Sequence, residues 1–221
     1  MNLKSFGCSF IFGSELADAI CIPGLVIPSE TSYAAQLAHH FGYNYQCHGR
    51  PGSGNLQIAE QVLSHIVSDT PALFVIGWTW IDRFDYWGTE HTWYGTNWQT
   101  ILPVDTDTLA RTYYKDLHSQ YRDKLMTLMT IKLVIDTLKQ HNQKFIMTYI
   151  DDLIFETEWH TTPAIITLQN YIKPYLTTFE GLTFVEWCRK NRYPITEQGH
   201  PLEEAHAAAA ECILQLGIHK V

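Results

Sequence analysis

The chain has 221 residues, 46% hydrophobic and 17% charged, which is enough to bury a core without metal or disulfide staples. Its formal net charge is -8 and no basic stripe is visible, which argues against a generic nucleic-acid binder, because neutralising phosphates needs clustered Lys and Arg. The five cysteines, Cys8, Cys21, Cys47, Cys188 and Cys212, are widely spaced with no Cys-x-x-Cys, which excludes a disulfide framework or zinc site and fits reduced thiols.

Residues 3–8 open the chain as a short hydrophobic strand that breaks off at Gly7-Cys8-Ser9-Phe10. A loop follows through Ile22-Pro23-Gly24 and Ile27-Pro28-Ser29. Thr31 or Ser32 caps a helix whose apolar positions Ala34, Leu37, Ala38 and Phe41 have helical spacing. Tyr43–Cys47 reads as a second strand. Arg50-Pro51-Gly52-Ser53-Gly54-Asn55 is a loop, and Asn55 caps a helix from Leu56 to Val67. The continuous apolar run Ala72–Gly77 is expected for a parallel strand buried on both faces. A long helix, with or without a break, is predicted over roughly residues 109–141, and a strand over Lys144–Tyr149. A helix around 163–176, a strand at Leu182-Thr183-Phe184-Val185 and a last helix through Glu203–Ala210 complete the pattern.

Strands alternating with helices imply a three-layer α/β/α domain over residues 1–221. The expected sheet is parallel and five-stranded, in the flavodoxin-like order 2-1-3-4-5. That order puts a switch point beside the first strand, where open sheets bind ligands, so Ser9 faces the crevice. No long apolar leader and no run of 18 apolar residues is present, so no signal peptide or membrane span is predicted and a cytoplasmic protein is expected.

Several short motifs resemble the blocks of the SGNH (GDSL-type) hydrolases. Gly7-Cys8-Ser9 with Gly13 is similar to the first block, Gly-Asp-Ser, with Cys8 in place of the aspartate. This Gly-Cys-Ser-Phe form resembles a branch of the superfamily found in phages and bacteria. Arg50–Asn55 resembles the second block, whose glycine amide helps form the oxyanion hole. Ile76-Gly77-Trp78-Thr79 stands where the third block, Gly-x-Asn-Asp, is expected, with Thr79 and Trp80 in place of its asparagine and aspartate. Glu197-x-x-His200-Pro201 resembles the last block, Asp-x-x-His.

The resemblance implies that Ser9 is the nucleophile, His200 the general base and Glu197 the carboxylate that fixes the imidazole tautomer. Oxyanion donors are expected from the Ser9 and Gly52 backbone amides with Asn55 or Thr79. The implied activity is that of a serine esterase or O-deacylase. It would cleave an acyl ester on a carbohydrate or small molecule through an acyl-enzyme on Ser9, with no cofactor and no metal. Two alternatives stand beside it: an acyltransferase on the same fold, and a non-catalytic phage or bacterial binding or structural protein with a decayed site.

Between about residues 84 and 108 lies an aromatic-rich insertion with Phe84, Tyr86, Trp87, Trp93, Tyr94 and Trp98. It is long for a βα connection. It is read either as a wall of the substrate pocket or as a satellite core pinning the long helix. Trp78, Trp80, Trp87 and Trp93 are the expected substrate-binding aromatics. Arg83 is read as a sheet-end ion pair or a site residue, Asp151-Asp152 as a solvated loop, and His206 as a helix-surface histidine.

Overall fold

A computed structural model describes residues 1–66, 71–92 and 94–217. Its elements in chain order begin with β1 (Asn2–Gly7), α1 (Ser9–Phe12), the short antiparallel pair β2 (Ile20–Ile22) and β3 (Leu25–Ile27), α2 (Tyr33–Phe41), β4 (Asn44–Cys47) and α3 (Asn55–Ile66). They continue with β5 (Ala72–Trp78), a hairpin of β6 (Phe84–Trp87) and β7 (Trp98–Ile101), α4 (Thr108–Thr112), α5 (Gln120–Gln140), β8 (Lys144–Tyr149), α6 (Pro163–Ile172), α7 (Phe184–Lys190) and α8 (Glu203–Gln215).

The main sheet is parallel and has four strands in the order β4-β1-β5-β8. Every residue of β5 is buried, as a central strand covered on both faces requires. One face packs against α2, α7 and α8 through Leu37, Phe184, Trp187 and Ala209. The other packs against α3, α5 and α6 through Ile58, Leu128, Ile131 and Ile165.

The expected fifth strand is not formed at residues 182–185, which lead into helix α7 instead. Thr183 accepts the Glu186 N–H while the Glu186 carboxylate accepts the Thr183 N–H, a reciprocal capping box. Phe184, Val185, Trp187 and Cys188 are buried at helical spacing. The chain touches the sheet edge earlier, at a single parallel bridge between Met147 and Leu176.

The long helix predicted over 109–141 is broken in two. After α4 the chain makes one π turn, Tyr113–Leu117, and His118 is extended. Ser119 then caps α5 by accepting the Arg122 N–H. The 163–176 helix likewise tightens after Ile172 into a 3-10 turn, Lys173–Tyr175.

Two glycines bring the serine to the sheet. Gly7 and Gly77 are register partners on β1 and β5. A Cβ on Gly7 would stand 2.4 Å from Ile11 Cγ1, and one on Gly77 would stand 2.8 Å from the same atom. Their bare backbones let α1 lie directly on the strand ends, so Ser9 starts a helix at the carboxyl edge of the sheet.

His206 is not on the surface. It is 1% exposed, its ring stacks on Tyr33, and its Nδ1 accepts the Tyr33 N–H at 3.1 Å. Burial pushes its pKa down to about 4 from the ordinary 6.5. The unfolded chain binds the proton first, so this contribution to stability is complete above pH 6.5 and is lost as pH falls toward 4. Urea unfolding at pH 7 and pH 5 is expected to show a smaller acid loss in His206→Gln, which cannot titrate, than in the wild type.

Candidate active site

Ser9 is the first residue of α1, directly after the extended N-cap Cys8. It is nearly buried, and its Oγ lies 2.9 Å from Nε2 of His200. The two residues are 191 positions apart in sequence. His200 is held by a small closed loop before α8. The Thr196 N–H donates to the His200 carbonyl at 2.9 Å, the His200 N–H donates to Thr196 Oγ1 at 3.1 Å, and Ile195 bridges to Pro201.

The carboxylate on the far side of the imidazole is Glu15. Its Oε2 lies 2.5 Å from His200 Nδ1 and accepts the Thr196 hydroxyl at 2.6 Å. Glu197, the expected partner, is exposed and makes no hydrogen bond to His200 among the described residues. The closed 196–200 loop explains the difference. It turns the Thr196 hydroxyl, not Glu197, toward the Glu15 carboxylate that faces the imidazole. Glu15 arrives from the turn after α1, with a positive φ of 68°. Burial alone would raise the Glu15 carboxyl. The hydrogen bonds from Thr196 and His200, with the charge of the imidazole, outweigh that and hold it below the usual carboxylate range. A carboxylate on Nδ1 keeps the proton there and leaves the Nε2 lone pair for the Ser9 hydroxyl.

Gly52 lines the same cleft as Ser9 and His200. Its φ of 86° lies in the left-handed region, and the space a Cβ would take has no atom within 4 Å. Asn55 and Thr79, expected as side-chain oxyanion donors, are not in that cleft. The Asn55 carboxamide is consumed by Thr79, whose N–H it accepts at 2.9 Å and to whose carbonyl it donates at 3.1 Å. It ties the start of α3 to the end of β5. Thr79 is fully buried, and its Oγ1 has no hydrogen-bond partner among the described residues.

The expected aromatics divide. Trp78, the last residue of β5, is fully buried in the core. Trp80 lines the cleft, with the Arg83 guanidinium 4.7 Å from its ring centroid. Trp87 is 65% exposed and packs edge-on against Trp98 across the hairpin, away from the cleft lining. Trp93 lies outside the described residues. The insertion serves two purposes. Tyr94, Leu102, Pro103 and Val104 form one wall of an open cleft of about 950 Å³, while Phe84, Tyr86, Ile101 and Tyr113 make a satellite core.

Asp151 is a buried cap, not part of a solvated loop. Its carboxylate accepts the Ile81 N–H at 2.7 Å and the Leu153 N–H at 3.0 Å, and burial pushes its pKa up to about 6. Among the described residues no group of three or more His, Cys, Asp or Glu side chains could hold a metal ion. No helix among them is long and apolar enough to cross a membrane.

No family model matches the sequence, and no curated protein matches it. Solved structures do. A member of the lipolytic G-D-S-L family from Veillonella parvula superposes with a TM-score of 0.52 over 97% of both chains at 12% identity. The chain has the SGNH-hydrolase fold. An acetyl xylan esterase from the rumen bacterium Butyrivibrio proteoclasticus matches over 99% of this chain and 64% of its own, with a TM-score of 0.53 and 14% identity. The psychrotrophic esterase EstA from Pseudoalteromonas sp. has a TM-score of 0.51 over 97% of this chain and 94% of its own, at 8% identity. On this SGNH fold Ser9 follows the first strand and His200 precedes the last helix. Glu15 is the residue that sequence reasoning missed. Its signal was a carboxylate six positions after Ser9, just beyond the turn at Gly13-Ser14.

Proposed function

We propose that this chain is a serine esterase that cleaves an acyl ester through an acyl-enzyme on Ser9. The observation that carries the reading is the unbroken relay from Ser9 Oγ through His200 to the Glu15 carboxylate, on the floor of an open cleft. The lipolytic and acetyl xylan esterase structures on the same fold support ester chemistry, and the latter support a small acyl group on a carbohydrate.

In this mechanism Ser9 attacks the ester carbonyl as its proton passes to His200 Nε2. Glu15 stabilises the imidazolium and remains ionised. The Ser9 N–H, in the first turn where a helix offers its N–H groups no intrahelical partner, and the Gly52 N–H stabilise the tetrahedral oxyanion. One such donor contributes about 3–4 kcal/mol to lowering the barrier. His200 returns the proton to the leaving alkoxide, and the acyl-enzyme is then hydrolysed by water through the same relay.

The intact relay favours catalysis over a decayed binding site. Turnover of p-nitrophenyl acetate by the full chain tests the reading, with free acetate measured beside nitrophenol. Equal yields of the two support hydrolysis. Acetate recovered on an added alcohol points to acyl transfer. No turnover of this or longer acyl esters contradicts both.

A further inference from the structure

We infer that Arg83 is a positioning residue for the oxyanion side of the cleft, holding the Gly52 loop in the place where the third sequence block supplies no side chain. The inference rests on the serine-esterase reading above. Gly52 has no side chain to anchor it, and open space surrounds the position of its missing Cβ. Its amide direction is therefore set by its neighbours. The loop is pinned behind Gly52 by the Arg50 N–H, which donates to the Gly7 carbonyl at 2.9 Å, and at Gly54 by the Asp85 carboxylate, which accepts its N–H at 2.9 Å. Between those points the Ser53 N–H closes a turn onto the Arg50 carbonyl. The Ser53 carbonyl accepts from Arg83 Nη1 at 2.9 Å.

Arg83 is itself restrained. Its guanidinium lies over the Trp80 ring, 4.7 Å from the centroid, so it is held on both sides. Its backbone follows Ile81, whose N–H is fixed by buried Asp151. The side chain thus carries the position of the β5 end across to the Gly52 loop. It forms no ion pair among the described residues, so of the two sequence readings, sheet-end ion pair or site residue, the ion pair is not its role. Arg83 also lines the cleft with Ser9, Gly52 and His200, so the contact lies beside the reacting groups. Asn55 and Thr79, turned away from the cleft, leave the backbone amides to do this work, which makes their placement matter more.

The test compares wild type, Arg83→Met and Arg83→Lys on p-nitrophenyl acetate, with hydrogen exchange of the peptide covering residues 50–54. Arg83→Met is expected to lower kcat about 10- to 100-fold, less than the roughly 10²- to 10³-fold cost of losing an oxyanion donor outright, with KM within about threefold of wild type. Exchange in residues 50–54 should quicken while that of α3 and β5 is unchanged. Arg83→Lys, which keeps a donor but not the planar stack, should recover part of the loss. Wild-type turnover with Arg83→Met near wild type in kcat, or with its loss confined to KM, overturns this inference and leaves the esterase reading standing. Unchanged exchange in residues 50–54 overturns it whatever the activity. A wild type without turnover overturns the esterase reading and this one with it.

Discussion

Ser9→Ala is expected to lower kcat for small acyl esters by about 10⁴-fold or more, because the variant has no atom that can form the acyl-enzyme. The fold should survive. Ser9 Oγ bonds to His200, and losing one such hydrogen bond costs about 1 kcal/mol. In a chain of this length that shifts the thermal midpoint by about 2–4 °C. Residual activity is expected from the Ser9 and Gly52 amides alone, since an oxyanion hole without its nucleophile still accelerates attack by water. A Ser9→Ala protein that keeps normal turnover and a normal midpoint would remove Ser9 from the mechanism.

The second large effect separates two glutamates. Glu15→Gln is expected to lower kcat about 10²- to 10⁴-fold, because an amide facing Nδ1 neither fixes the required tautomer nor stabilises the imidazolium. Thr196 would lose an ionised acceptor at the same time, loosening the loop that carries His200. Glu197→Gln, on an exposed side chain without a bond to His200, should leave kcat within about twofold, as surface substitutions away from a site usually do. Steady-state kinetics of both variants on one ester make the comparison. A severe loss in Glu197→Gln with a mild one in Glu15→Gln would reverse the assignment.

What the sequence revealed of this site depended on how local each signal was. Ser9 and Gly52 stand at strand-to-helix turns whose glycines announce close backbone approach, so their positions could be read directly. His200-Pro201 stands before a helix rich in helix formers, which placed it too. The carboxylate partner depended on three-dimensional detail. Glu197 and Glu15 are both separated from His200 by turns, and which one reaches Nδ1 is decided by how residues 196–200 close on themselves.

Asn55 misled for a similar reason. Its residue type suits an oxyanion donor, but its carboxamide also complements a peptide unit, and the Thr79 backbone takes it. Residues 182–185 have strand-like composition, and the Thr183–Glu186 capping box, visible as Thr-x-x-Glu, was the stronger signal. His206 looked like a surface residue within an alanine-rich helix. The α2–α8 packing that buries it is tertiary, and the local pattern does not contain it.

The central claim is that Ser9 is a nucleophile activated by His200. Labelling the native chain with a fluorophosphonate and mapping the adduct by mass spectrometry tests it directly. The account predicts one adduct, on Ser9, that is lost in His200→Ala. An unlabelled protein, or an adduct at another residue with Ser9 untouched, would contradict it.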